Sequence, residues 1–338
     1  MSRGAAAASH VIVRAPAKLN LFLELLGKRP DGYHELETVM VPVSCSDTLC
    51  VTRSDQHDAI RIQTHWWPSP EDWRQSLGAA AEPLLAIPDD ASNLIYRAID
   101  AMRSTFGLRG GFDVLARKRI AAGAGMGGAS SDAAAAIRAV AALAGIDARQ
   151  PELAAIAARI GSDVPFFLTH RAAGHAPEAR GWGAVATGRG ERLQPFSLGQ
   201  RLWFVVAYPR GGLSTAAVYE RAEVPLQPVA AGNCLRALSA GDVAALRPLL
   251  LNRLSQPAQS LSPRVSELLA LMDRCGLPAA MMTGSGSACF SVFAQRPQAL
   301  QGAKRLRQQW SRAADSGRVL VVSSLSARPQ LQLYDSKA

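Results

Sequence analysis

Long apolar runs are missing from this chain: no stretch of about 18 uncharged apolar residues occurs, so a membrane-spanning helix is not expected. Aromatic residues are scarce, at 6%, and no basic block interleaves with them, which argues against a dedicated nucleic-acid surface. Cysteine is sparse too. Cys45, Cys50, Cys234, Cys275 and Cys289 are odd in number and show neither C-x-x-C spacing nor paired histidines. Neither a disulfide framework nor a metal cage is expected from them, and a reduced, cytoplasmic protein with buried thiols is the simplest reading. Residues Met1 to Arg14 are too short and too interrupted, by Ser9, His10 and Arg14, for a secretory segment. Lysine is the rarest charge: among 37 basic residues only Lys18, Lys28, Lys118, Lys304 and Lys337 are lysines. Where arginine is so preferred, a lysine inside a motif points to a compact ammonium being needed there.

What is present is a 338-residue chain, 48% hydrophobic, with a net charge of +10. That length and apolar content support two domains, each with its own core. The charge favours anionic partners without choosing among nucleic acid, acidic membrane and phosphorylated small molecules. β-Branched and alternating stretches predict strands at Val11–Arg14 and Leu19–Leu25, around Ala15-Pro16-Ala17, then at Thr38–Val43, Thr48–Thr52 and Asp58–Gln63. Residues 64–90, with Trp66, Trp67 and Trp73 among four prolines, read as an inserted surface excursion with a short helix near Glu71–Leu77. Ser92 is the expected N-cap of a helix over Asn93–Met102. A strand over Phe112–Ile120 leads into a glycine loop, and a helix over Ala133–Ala144 leaves it. Residues 170–200 read as linker or second insertion, separating an N-terminal domain over 1–170 from a C-terminal one over 200–330. In the latter, helices are expected at Thr215–Glu220, Leu235–Leu251, Val265–Cys275 and Leu300–Trp310, with strands at Leu202–Ala207, Ala279–Thr283, Ala288–Phe293 and Val319–Ser323.

The glycine loop, Gly123-Ala124-Gly125-Met126-Gly127-Gly128-Ala129-Ser130-Ser131, is the strongest chemical signal. Glycines let a ligand approach the main chain, and the following helix start offers unpaired amides and a positive dipole end, so the loop suits phosphate. Ser130 and Ser131 can cap the helix or meet an oxyanion or a metal-bound water. Gly123, Gly125 and Gly128 also satisfy the dinucleotide fingerprint G-x-G-x-x-G. That fold, however, needs a second strand ending in an acid, and Asp147 is followed by another helix-like stretch. A Walker A loop requires Lys then Ser or Thr after the last glycine, whereas Ala129-Ser130 stands here.

Three separated segments together carry a family resemblance. Ala15-Pro16-Ala17-Lys18-Leu19-Asn20-Leu21, the glycine loop with its two serines, and Met282-Thr283-Gly284-Ser285-Gly286 resemble the three motifs of the galactokinase, homoserine, mevalonate and phosphomevalonate (GHMP) kinase superfamily. Lys28-Arg29-Pro30-Asp31-Gly32-Tyr33-His34-Glu35-Leu36 and Gly161-Ser162-Asp163-Val164-Pro165-Phe166-Phe167 resemble the signatures of its 4-diphosphocytidyl-2-C-methyl-D-erythritol kinase family, of the non-mevalonate isoprenoid pathway. The resemblance implies an α+β, two-domain fold, with an N-terminal ATP-binding domain of the ribosomal-protein-S5-like type and the active site in the cleft between domains.

It further implies phosphoryl transfer from ATP to the 2-hydroxyl of a cytidine-diphosphate-linked methylerythritol. Asp163 would be the general base and Lys18 the electrostatic stabiliser. Asn93, Lys118 and the run Ala121, Ala122, Gly123, Ala124, Gly125, Met126, Gly127, Gly128, Ala129, Ser130 and Ser131 would hold ATP. Mg²⁺ would travel with the nucleotide, without a protein cage. Asn20, Tyr33, His34, Thr215, Tyr219, Thr283, Gly284 and Ser285 would contact the acceptor, with Tyr33 and Tyr219 on the faces of the cytosine and His34 at its edge. Neither nucleic acid nor membrane is an expected partner, and the protein would be a monomer or homodimer. Another superfamily kinase, acting on homoserine or mevalonate, and a non-catalytic nucleotide sensor are the alternatives. Three departures stand out: Ala121 where the family commonly has proline, Ala129 in place of a third consecutive glycine, and Asn252-Arg253-Leu254 where Asn-Asp-Leu is usual.

Overall fold

Two leucine- and valine-rich stretches near the N-terminus pair as one long antiparallel hairpin of β1 (His10–Lys28) and β2 (His34–Ser54). The breaks expected within both stretches are β-bulges instead. Register shifts fall between Pro16 and Ala17 and between Asn20 and Phe22, and a proline, which cannot donate to the ladder, is tolerated at such a place. The first bulge also exchanges faces. Val11, Val13 and Ala15 pack into the helical layer, whereas Ala17, Leu19 and Leu21 pack toward the second sheet. Because side chains alternate along a strand, Lys18 and Asn20 are turned the opposite way, into the cleft.

The computed structural model describes residues 10–77, 81–168, 180–311 and 317–334. Residues 1–9 of the N-terminal reading, 78–80 of the first expected insertion and 170–179 of the second lie outside the described residues. After the hairpin come β3 (Ile60–Trp66), α1 (Pro70–Leu77), α2 (Glu82–Leu85), α3 (Leu94–Phe106), β4 (Gly111–Lys118), α4 (Gly128–Leu143), α5 (Pro151–Ile160) and α6 (Val164–Leu168). Then follow β5 (Trp182–Gly188), β6 (Arg192–Ser197), β7 (Trp203–Tyr208), α7 (Thr215–Glu220), α8 (Gly232–Ala240), α9 (Val243–Leu246), β8 (Leu251–Asn252), α10 (Ser255–Leu261) and α11 (Pro263–Arg274). The chain ends with β9 (Met281–Met282), β10 (Cys289–Phe293), α12 (Arg296–Trp310), β11 (Arg318–Ser323) and β12 (Leu331–Tyr334).

The architecture is α+β, built on two sheets. The first has the order β12-β1-β2-β4-β3, with β5 added to β2, β6 to β5, and β8 lying parallel to β1. The second is antiparallel, in the order β11-β7-β10-β9. Helices α3, α4, α5 and α6 cover one face of the first sheet, the second sheet packs toward its other face, and α11 and α12 cover the far side of the second sheet. Residues 182–197, which the sequence places in a linker, are strands of the first sheet, and β8 and β12 return to it from the C-terminal half.

The tryptophan-rich excursion has its helix close to where the sequence predicts it, yet it is not merely a surface feature. Trp73 is 1% exposed, lies edge-on to Trp66 at 5.6 Å and 6.4 Å from Tyr208, and carries the Arg318 guanidinium 4.2 Å above its ring. An amphipathic segment with one large aromatic on its inner side is drawn into the space between the sheets by the apolar area it buries. No helix among the described residues is long and apolar enough to cross a membrane.

Candidate active site

A cleft of about 1050 Å³ opens between the glycine loop, the two bulged strands and the C-terminal turn. Helix α4 begins at Gly128, earlier than its alanine run suggests, because Gly127 takes the left-handed conformation (φ 72°) at the N-cap. The helix start therefore faces the cleft directly, with Ser130 on the lining and the free amides of the first turn beside it. Ser131 is turned inward instead: it is 1% exposed and its hydroxyl has no partner among the described residues. Ala121 to Ala129 all border the cleft.

The loop is fixed by the third glycine motif. Ser287 N–H donates to the Gly123 carbonyl at 3.2 Å, and Ala288 N–H to that of Ala124 at 3.2 Å. The approach is so close that a Cβ on Gly125 (φ 71°) would sit 2.2 Å from the Thr283 carbonyl oxygen. Glycine is required there for both space and conformation.

Lys18 sits at the centre. Its backbone N–H donates to the Met126 carbonyl at 3.0 Å rather than to its own sheet, which joins strand to loop. Its ammonium donates to Asn20 Oδ1 at 2.5 Å and stands 3.5 Å from Asp163 Oδ2. Asp163 lies in the turn between α5 and α6, after Gly161, with its side chain 33% exposed toward the cleft. Asn20 is a hub: its Nδ2 donates to Thr38 Oγ1 at 2.8 Å and its N–H to Thr283 Oγ1 at 3.0 Å. Thr283 is thus fully buried behind Asn20 and does not border the cleft, whereas Gly284 and Ser285 do. Thr215 Oγ1 and Ser285 Oγ are hydrogen-bonded at 2.8 Å.

At the other end of the cleft His34 is buried and its ring packs on that of Tyr219 at 5.6 Å. Burial and then the Lys28 charge lower the pKa of His34, so the imidazole is neutral near pH 7. Burial, and secondarily the Asp163 charge, raise that of Tyr219. Tyr33 is 55% exposed, with the Arg189 guanidinium 5.1 Å over its ring.

Where the start of α3 borders the cleft, Asn93, not Ser92, is the N-cap. Asn93 Oδ1 accepts from Ile95 N–H at 2.8 Å and its Nδ2 donates to the Pro88 carbonyl at 2.6 Å, while Ser92 Oγ donates to Asp90. This ties the excursion, through Ile87 and Pro88, into the cleft wall. Lys118 also borders the cleft, but its buried ammonium is held by Asp47 and Asp132. Burial pushes the Asp132 carboxyl up to about 7 despite the opposing pull of Lys118, and the Asp47 charge adds to the rise.

Sequence reasoning missed Asp47 and Arg189. Asp47 is fully buried and also accepts the backbone N–H groups of Arg119 and Ile120, fixing the strand end from which the glycine loop departs. A lone acid within an apolar strand pattern was its signal. Arg189 stands between Gly188 and Gly190 in the β5–β6 turn; a Cβ on Gly190 would lie 4.0 Å from Asp163 Oδ1. Arg189 thereby bridges the Asp163 end of the cleft and the Tyr33 end, and an arginine flanked by glycines was the available cue. Among the described residues no three or more His, Cys, Asp or Glu side chains gather as a metal-holding group.

This chain resembles known proteins over most of its length. The models for the GHMP kinases N terminal domain and the GHMP kinases C terminal match residues 93–171 and 234–312. A 4-diphosphocytidyl-2-C-methyl-D-erythritol kinase of Rhodopirellula baltica is 42% identical over 308 residues, covering 86% of this chain and 89% of the relative. One of Heliobacterium modesticaldum is 33% identical, covering 92% and 94%. A crystal structure of 4-(cytidine 5'-diphospho)-2C-methyl-D-erythritol kinase superposes with a TM-score of 0.67 at 32% identity, covering 92% of this chain and 98% of that one. Homoserine kinase from Cytophaga hutchinsonii gives a TM-score of 0.68 at 17% identity, covering 98% and 99%, a likeness of fold alone. Interlocked glycine motifs, the Lys18–Asp163 pair and this level of identity over nearly the whole length place the chain in the 4-diphosphocytidyl-2-C-methyl-D-erythritol kinase family of the GHMP kinases.

Proposed function

We propose that the protein transfers the γ-phosphoryl group of ATP to the 2-hydroxyl of 4-diphosphocytidyl-2-C-methyl-D-erythritol, in the non-mevalonate route to isoprenoids. The observation that carries the reading is the Lys18–Asp163 pair, 3.5 Å apart, at the point where the glycine loop meets the acceptor side of the cleft. Asp163 accepts the hydroxyl proton as the oxygen attacks phosphorus, and Lys18 offsets charge on the transferring group. The amides of the glycine loop and the start of α4 hold the triphosphate.

The acceptor lies along the line from Asp163 past Arg189 to Tyr33 and His34. Arg189 and Lys28 supply positive charge for its diphosphate. Neutral His34 can pair with the base edge, and the aromatic rings of Tyr33 and Tyr219 offer faces for stacking. Asn20 orients the erythritol end, and Ser285 and Thr215 close the cleft from the C-terminal half. Mg²⁺ carried on ATP would neutralise phosphate oxygens, and the Ser130 hydroxyl on the cleft lining would be a neutral protein group available to it.

The test supplies ATP, Mg²⁺ and, in turn, the cytidyl alcohol, homoserine and mevalonate, and follows ADP release. Turnover with the cytidyl alcohol, inhibited by CMP or CDP, is expected; turnover with homoserine or mevalonate alone would move the assignment to another branch of the superfamily. Nucleotide binding without turnover on any of the three would point to a sensor.

A further inference from the structure

Glu24 is fully buried on β1, beyond the cleft, and its carboxylate forms a fork with Arg253: Arg253 Nε donates to Oε1 at 2.7 Å and Nη2 to Oε2 at 2.6 Å. The remaining capacity of the carboxylate is filled by Leu25 N–H at 2.9 Å and Val229 N–H at 3.2 Å. Burial works to raise the carboxyl pKa, and these donors, Arg253 first, outweigh it and leave the pKa lowered. Arg253 N–H donates to the Leu23 carbonyl at 2.8 Å as well. The residue that departs from the family's Asn-Asp-Leu pattern is therefore not idle: it grips the β1 strand that carries Lys18 and Asn20.

The grip passes to the site through the adjacent residue. Asn252 pairs with Leu23 in the short β8–β1 ladder. Its Nδ2 donates to the carbonyls of Met282 and Gly284, at 2.8 and 2.9 Å, on either side of Thr283. Thr283 in turn holds Asn20, and Asn20 holds the Lys18 ammonium.

We propose that the Glu24–Arg253 fork is a positioning pair for phosphoryl transfer. It locks β8 against β1, so that Asn252 sets the Thr283–Gly284 turn and, through Asn20, the place of the Lys18 ammonium. Neither residue borders the cleft. A bidentate guanidinium–carboxylate pair is directional, and a small displacement of a reacting group is enough to slow turnover without weakening nucleotide binding.

This inference rests on the kinase reading, and its experiment separates the two. Arg253→Ala and Arg253→Lys are compared with the parent protein for kcat, KM for ATP and thermal midpoint, with and without millimolar guanidinium ion, which can enter because the Arg253 side chain is 32% exposed. Expected for Arg253→Ala is a fall in kcat on the order of 10- to 100-fold, with KM for ATP unchanged within about twofold. Added guanidinium should recover part of kcat, whereas tetramethylammonium should not. Arg253→Lys, which keeps the charge but not the fork, should stay folded and show the same kcat defect in smaller degree. Folded variants with undiminished kcat, or a lowered thermal midpoint with kcat per folded molecule unchanged, would overturn the positioning role. Absence of turnover by the parent protein would strike the kinase reading instead.

Discussion

Lys18 Nζ lies 3.5 Å from Asp163 Oδ2 although the two residues come from a strand and a helix-to-helix turn far apart in the chain. The lysine reaches that place because a bulge at Pro16/Ala17 reverses the strand's inward face, and the carboxylate because α5 ends at Gly161. The pair is a charge arrangement suited to moving a proton and a phosphoryl group together.

Asp163→Asn keeps the shape of the side chain and removes its basicity. Its kcat should fall by a factor on the order of 10² to 10⁴, while ADP affinity measured by calorimetry stays within about threefold of the parent, since the glycine loop is untouched. Retained turnover would remove Asp163 from the role of base.

Lys18→Met and Lys18→Arg test whether a compact ammonium is required. With Asn20 Oδ1 at 2.5 Å and the Gly284 backbone close by (a Cβ there would be 3.2 Å from Lys18 Nζ), a planar guanidinium has no room to lie flat. Both variants should lose at least about 100-fold in kcat, since the two cations differ in shape and hydration. A Lys18→Arg variant with near-parental kcat would contradict this.

The neutral state of His34 predicts a pH dependence of acceptor binding. Its pKa is lowered from 6.5, so KM for the cytidyl alcohol should be flat from pH 7 to 8 and rise as pH falls below 6.5, where protonation removes the ring's acceptor nitrogen. In His34→Ala that rise should vanish and KM should be high throughout. An identical low-pH rise in both proteins would assign the titration elsewhere.

Asp132 titrates in the opposite sense. Its folded pKa, about 7, exceeds the ordinary 3.8, so the folded state holds more protons between those values, and the contribution of this group to stability is lost as pH rises through that window. Thermal midpoints from pH 5 to 8 should therefore decline more steeply for the parent than for Asp132→Asn. Parallel curves would show that Asp132 does not carry this proton.

Much of the site was legible because its chemistry needs particular residue types at short spacing. The glycine loop, Lys18 with Asn20, and the Asp163 turn each sit within a few residues of a backbone feature that the sequence signals directly. What was not legible depends on long-range packing. Pro16 reads as a strand break, but neighbouring strands convert it to a bulge. Trp73 reads as surface within a proline-rich excursion, yet the gap between the sheets takes it in. Residues 182–197 read as linker because their small and basic residues hide a strand pair that gains its stability from the edge of β2. Thr283 was expected at the acceptor, and only the folded turn reveals it behind Asn20. Asp47 and Arg253 each need a partner distant in sequence before their charge has a meaning.

The most direct measurement follows phosphorus. Incubated with ATP, Mg²⁺ and 4-diphosphocytidyl-2-C-methyl-D-erythritol, the protein should produce ADP and a new phosphomonoester resonance by ³¹P NMR, coupled to the acceptor at its 2-position, in equal amounts. ADP without that resonance, or no ADP above background, would contradict the account.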